Sequence, residues 1–150
     1  MRMSRRSGDS RISIAAAALA ILLLTVARQA LADPVEYWAT VDRERIALDE
    51  TVTLTVQLSS DQDAELGEIR LPEAPDFEIV HQGRSEQTSF SFVGGSTSFR
   101  KTRVWTMVLR PLRQGKLAIL PGRVEVGGKR WETGRLTVEV GPARGGGTAQ

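Results

Sequence analysis

Thr51-Val-Thr-Leu-Thr-Val-Gln-Leu-Ser59 (TVTLTVQLS) is the stretch that decides the fold class. Val52, Leu54, Val56 and Leu58 leave an extended chain on one side, while Thr51, Thr53, Thr55, Gln57 and Ser59 leave it on the other. A period of two marks a pleated ribbon with one buried face, because successive side chains of a strand point to opposite sides. The β-branched residues on both faces suit that geometry. Upstream, Val35, Tyr37, Ala39 and Val41 alternate in the same way with Glu36, Trp38, Thr40 and Asp42.

Downstream the pattern recurs. Phe77-Glu78-Ile79-Val80 reads as a short strand after the Pro72…Pro75 loop. Phe90 and Phe92 alternate with serines ahead of Gly94-Gly95, and a long strand runs from about Ser98 to Leu109. A Gly-Gly pair between two such runs is a hairpin signal, since both residues tolerate positive φ. Leu117/Ile119, Val124/Val126 and Leu136/Val138/Val140 give three further alternating sets, and Gly127-Gly128 turns the chain into a short strand around Trp131. No stretch after Asp33 keeps helical apolar spacing for three turns. Seven to nine short strands in about 108 residues predict an all-β, immunoglobulin-like antiparallel β-sandwich, because a single open sheet would leave half its apolar residues wet.

The charge is unevenly placed. The chain has 150 residues, 20 Lys+Arg and 18 Asp+Glu, for a formal charge of +2. Residues 1–32 hold Arg2, Arg5, Arg6, Arg11 and Arg28 against Asp9 alone, and the remainder carries 15 basic and 17 acidic residues. A folded part with a net negative charge disfavours nucleic acid as a partner. Absence of cysteine excludes disulfides, zinc fingers and thiol nucleophiles, and a single histidine, His81, excludes His-pair metal motifs.

Residues 1–32 read as a secretory signal peptide. The arginines form its positive start, Ile12–Val26 its apolar run, and Ala30-Leu31-Ala32 its small-x-small cleavage site. The run is about 15 residues, short of the ~20 needed to span a bilayer; the rival reading is an uncleaved anchor. Ser4-Arg5-Arg6 hints at twin-arginine export, but Ser7-Gly8-Asp9 lacks the apolar residue that should follow, which favours the general secretory route. The expected organisation is a signal peptide at 1–32, a sandwich at 33–141 and a flexible Gly-rich tail at 142–150, in a periplasmic or secreted location.

Catalytic residues do not stand out. His81 has no nucleophile motif beside it, and its ordinary reading is a strand-end side chain. Asp61-Gln62-Asp63-Ala64-Glu65 is the densest acidic cluster, yet Leu66 stands where a calcium loop of the EF-hand type needs glycine. It reads as a solvated turn, or as a partner-contact loop in which Asp61, Asp63 or Glu65 supplies a carboxylate to a metal held mainly by another protein. Arg100, Lys101, Arg103, Arg110, Arg113 and Lys116 are the only basic concentration of the folded part; the choice is between a grip on anionic lipid and the wet face and edge protection of a strand. Trp105 shares parity with Met107 and Leu109, which assigns it to the core. Trp38 and Trp131 fall where both are expected to be exposed, and exposed tryptophans make a sugar-stacking platform.

The segments VEYWATVDRERIALDETVTLTVQLS (35–59), LPEAPDFEIVHQGRSEQTSFSFVGGSTSF (71–99) and VWTMVLRPLRQGKLAILPGRVEVGGKRWETGRLTVEV (104–140) stand in an order that resembles the N-terminal unit of the BatD (oxygen tolerance, aerotolerance) family. The matching features are Pro72 with Phe77, Gly94-Gly95, Leu109-Arg110-Pro111 with Gly115, Ile119-Leu120-Pro121, and Val126-Gly127-Gly128-Lys129-Arg130-Trp131-Glu132-Thr133. The resemblance implies an immunoglobulin-like fold and a non-enzymatic envelope protein, without cofactor, that scaffolds a membrane complex with von Willebrand A-type and MoxR-type proteins in stress or oxygen tolerance. Typical members continue through further such domains to a transmembrane helix, whereas this sequence stops at Gln150 after one. Membrane association is then expected through partners or an uncleaved signal. With a von Willebrand A-type partner, the acidic loop would complete that partner's metal site. The alternative function is a secreted carbohydrate-binding module using Trp38 and Trp131.

Overall fold

The computed structural model describes residues 35–145 apart from Gln62. Residues 1–32, read from the sequence as a signal peptide with a cleavage site, and residues 146–150 of the tail lie outside the described residues. Pro142–Gly145 form no strand, but the backbone N–H of Arg144 donates to Asp49 Oδ1 at 3.1 Å and its guanidinium lies 3.6 Å from Glu50.

The described chain has no helix. Its strands are β1 (Glu36–Val41), β2 (Arg45–Ala47), β3 (Val52–Asp61), β4 (Leu66–Arg70), β5 (Phe77–Val93), β6 (Ser96–Pro111), β7 (Gly115–Ile119), β8 (Arg123–Val126), β9 (Lys129–Glu132) and β10 (Leu136–Gly141). The first sheet runs β1-β3-β6-β5, all antiparallel. Two three-stranded ladders, β2-β10-β7 and β4-β8-β9, lie opposite it in the sandwich order. These ladders are halves of one sheet. Partners advance one for one from Val126↔Lys129 to Arg123↔Glu132 and resume in the same register at Ile119↔Leu136. The gap spans Leu120-Pro121-Gly122, where Pro121 has no N–H to give. There the side chain of Thr133 completes the ladder: Gly122 N donates to Thr133 Oγ1 at 2.8 Å, and Thr133 N donates to Gly122 O at 3.0 Å.

The alternation read from the sequence sets the core. Val52, Leu54, Val56, Leu58 and Leu109 are fully buried, and Trp105 and Met107 join them from the first sheet. Leu117, Ile119, Val124, Val126, Val138 and Val140 face them from the second. One pair is parallel, β2 with β10, because the chain changes sheets after β1: Asp42 closes β1 against Thr53, and Glu139–Gly141 then take Arg45–Ala47 as a neighbour. Sequence reading breaks the segment 77–93 into two short strands around a connection. The structure makes it a single 17-residue strand, since pairing to β6 carries the backbone through residues 81–89, where neither face is buried and no apolar period exists.

Candidate interaction surface

The two sheets end at different heights. β3 stops at Asp61 opposite Arg100, but β6 and β5 run on for four more rungs: Phe90↔Phe99, Ser91↔Ser98, Phe92↔Thr97 and Val93↔Ser96. At ~3.4 Å per residue the hairpin overhangs its sheet by roughly 13 Å. Gly94 and Gly95, with φ of 58° and 82°, close it as only a two-residue turn with positive φ at both positions does. The Ser91 and Ser98 hydroxyls, 2.8 Å apart, bind across one face of the ribbon. Phe90, Phe92 and Phe99 share the other face, 76%, 69% and 49% exposed.

Three of the chain's four phenylalanines therefore stand in the open at one end of the sandwich, and only Phe77 is buried. Alternation of Phe with Ser announces a sided strand in the sequence. It does not say that the opposite layer ends before reaching those side chains, so the patch is missed as a site.

The acidic loop meets this overhang. Asp61, Asp63 and Ala64 line one wall of an open cleft of about 420 Å3, and Thr97, Ser98 and Phe99 line the other. The loop is pinned by its backbone: Ala64 N donates to Asp61 O at 3.1 Å, and Gly127 N donates to Glu65 O at 2.8 Å. Ala64 packs on the core while Asp61, Asp63 and Glu65 are exposed. None of these three carboxylates has an ion-pair partner among the described residues, whereas nine of the other acidic residues do. They do not converge on a common point either, for no group of three His, Cys, Asp or Glu able to hold a metal occurs among the described residues.

Behind the phenylalanines the same face turns ionic. Glu86 is met by Lys101 Nζ at 2.9 Å, by Arg103 at 3.4 Å and by Arg84, whose guanidinium also lies 5.6 Å from the centre of the Trp105 ring. Hydrogen bonds donated by Lys101 and then Arg84 hold the Glu86 carboxyl at about 2, below its ordinary 4.5. A carboxylate whose pKa is depressed on folding stabilises the native state above its unfolded pKa and loses that contribution as pH falls through the folded one. The melting temperature of the wild-type chain should therefore exceed that of Glu86→Gln at pH 7. The gap should begin to narrow near pH 4.5 and close near pH 2, as a thermal melt series at descending pH would read.

Several sequence expectations need correcting here. Arg100, Lys101 and Arg103 do not protect an edge: β6 lies inside its sheet, and they pair with Glu36 and Glu86. Arg110 and Arg113 are likewise engaged, with Glu78 and Asp76. Trp38 and Trp131 do not form one platform. Trp38 sits on the outer face of β1, 39% exposed, whereas Trp131 stands opposite buried Val124 and packs half-buried against the core. Its inward parity was hidden because β9 is only four residues long and its tryptophan is flanked by Arg130 and Glu132. His81 does not end a strand: it lies within the 17-residue β5, exposed beside a bulge between Ile79 and His81.

No curated protein matches the chain. The model of the BatD DUF11-like domain matches residues 39–140, which run from the middle of β1 nearly to the end of β10 and so take in the core, the overhanging hairpin and the acidic loop. The chain belongs to the BatD family.

Proposed function

We propose that this BatD-family chain is a non-catalytic protein-interaction module of the bacterial periplasm, exported by its N-terminal segment. It scaffolds an envelope complex with von Willebrand A-type and MoxR-type proteins in stress or oxygen tolerance. The observation that carries this reading is the exposed Phe90/Phe92/Phe99 face beside Asp61 and Asp63, two carboxylates with no ion-pair partner among the described residues. A contiguous apolar patch with a polar rim is what a protein interface presents. The class of partner is the one that the resemblance to BatD implies.

Crosslinking the C-terminally tagged full chain in its native cells, followed by mass spectrometry, tests the reading. Recovery of von Willebrand A-type membrane proteins supports it. A chain that reaches the envelope and is recovered only with cell-wall glycan contradicts it.

Within that reading the acidic loop supplies one carboxylate to the partner's metal site, a hard-cation position that takes oxygen ligands. Asp61→Asn/Asp63→Asn/Glu65→Gln should then lower partner recovery at least tenfold, and EDTA should do the same to the wild-type chain. Recovery untouched by both treatments would remove the loop from the interface.

A further inference from the structure

We propose that β5 is a self-pairing edge through which two copies of this chain join their first sheets into one antiparallel sheet about a two-fold axis at Ser85. Among the described residues β5 pairs only with β6, so its other side is an open row of backbone donors and acceptors 17 residues long. The other edges are short: β1 has six residues, β4 and β7 five each, β9 four and β2 three. Sheets blunt long edges with lysine, proline or a covering segment. β5 contains neither Lys nor Pro, and its residues beyond Phe77 are exposed except for half-covered Gly83. The single bulge, between Ile79 and His81, leaves the run from His81 to Ser89 regular.

Charge selects the occupant and the register. Glu86 is oversupplied, with Lys101, Arg103 and Arg84 around one carboxylate. Lys101 and Arg103 approach from β6, the inner side, so Arg84 is the cation that an incoming strand can share. Antiparallel pairing about Ser85 sets Arg84 against the partner's Glu86 and Glu86 against the partner's Arg84, giving four alternating charges around the axis. An axis one residue to either side sets Arg84 against its own copy, or Glu86 against its own, and like charges directly opposite destabilise a sheet. In the chosen register Gly83 meets the partner's Gln87, Gln82 meets the partner's Thr88 and His81 meets the partner's Ser89, with no like-charge rung. This pairing uses the backbone edge and leaves the phenylalanine face free for the partner discussed above.

The chain has no cysteine, so one can be placed at will. In the Ser85→Cys full chain, the two-fold sets Cα atoms about 4.5–5.5 Å apart, inside disulfide reach. Oxidation of exporting cells, read on a non-reducing gel, should convert most of this variant to a band of twice the chain's mass. Thr40→Cys, on the exposed outer face of β1, should stay monomeric. Adding Arg84→Glu to Ser85→Cys should lower dimer yield at least tenfold while the melting temperature stays within a few degrees of that of Ser85→Cys, which shows that the variant had not merely lost its fold. Three results would overturn the proposal: Ser85→Cys crosslinking no better than Thr40→Cys, a dimer indifferent to the charge reversal, or an adduct of Ser85→Cys with a different protein only.

Discussion

Gly122→Ala should lower the melting temperature of the chain by roughly 10 °C or more, about 3 kcal/mol in a domain of this size. Gly122 has no room for a methyl group. A Cβ there would fall 2.6 Å from Tyr37 Oη, 2.7 Å from Pro72 Cδ and 2.8 Å from the carbonyl oxygen of Arg70. Two of the three are not flexible ends that swing aside, and the third is committed, since Tyr37 Oη donates to Arg70 O at 2.9 Å. Moving the tyrosine breaks that bond, and a lost hydrogen bond adds about 1 kcal/mol to the overpacking. The same residue holds the seam between the two halves of the second sheet through its bonds to Thr133, so the damage reaches β7 through β10. Gly83→Ala in β5 is the control: nothing lies within 4 Å of its Cβ, and no loss is expected. Thermal or urea unfolding of the three chains reads the difference. A Gly122→Ala melting temperature within 2 °C of wild type would mean the seam has slack that the packing does not show. Burial raises the Tyr37 hydroxyl to about 12. Its contribution is therefore intact below pH 10 and drains away as the pH climbs toward 12, a second view of the same locus.

What the sequence makes legible follows from where one face is buried and the other is not. TVTLTVQLS declares β3 because Val52 to Leu58 meet the second sheet while the threonines meet water. Trp105, Met107 and Leu109 declare the inner face of β6 for the same reason. His81 to Ser89 declare nothing, because they belong to an edge strand whose extended state comes from backbone pairing to β6 and leaves no mark in side-chain pattern. The seam at Gly122 is silent too: the atoms that crowd it come from Tyr37, Arg70 and Pro72, far away in sequence. The candidate surface divides along the same line. Asp61, Asp63 and Glu65 are conspicuous as an acidic run within one loop, but Phe99, which shares a cleft with Asp61 and Asp63, arrives from a different hairpin and depends on β3 ending at Asp61. Period tells which side of a strand a residue takes. Only the lengths of the opposing strands tell whether anything covers it.

Those lengths make the second large effect one of binding and not of folding. Phe90→Ser/Phe92→Ser/Phe99→Ser should leave the fold nearly as stable as wild type while removing partner recovery. The three rings are half to three-quarters exposed, so the folded monomer gains little from them beyond the cross-strand Phe90–Phe99 pair, about 0.5–1 kcal/mol. A fall of a few degrees in melting temperature is the expected cost. In a complex the balance reverses: each ring taken out of water contributes about 1.5–3 kcal/mol, and aromatic anchors at the centre of an interface carry most of its energy. Losing even two such contributions weakens association roughly 100-fold or more, enough to clear the proposed von Willebrand A-type partner from the crosslinked material. The measurement pairs the melt with the crosslinking yield on the same preparations. A stable triple variant that still recovers the partner at wild-type yield would free the overhang of any role in binding and leave the acidic loop to account for recognition alone. A variant that melts 15 °C lower would show that the phenylalanines are covered in the free chain, against the exposure seen here.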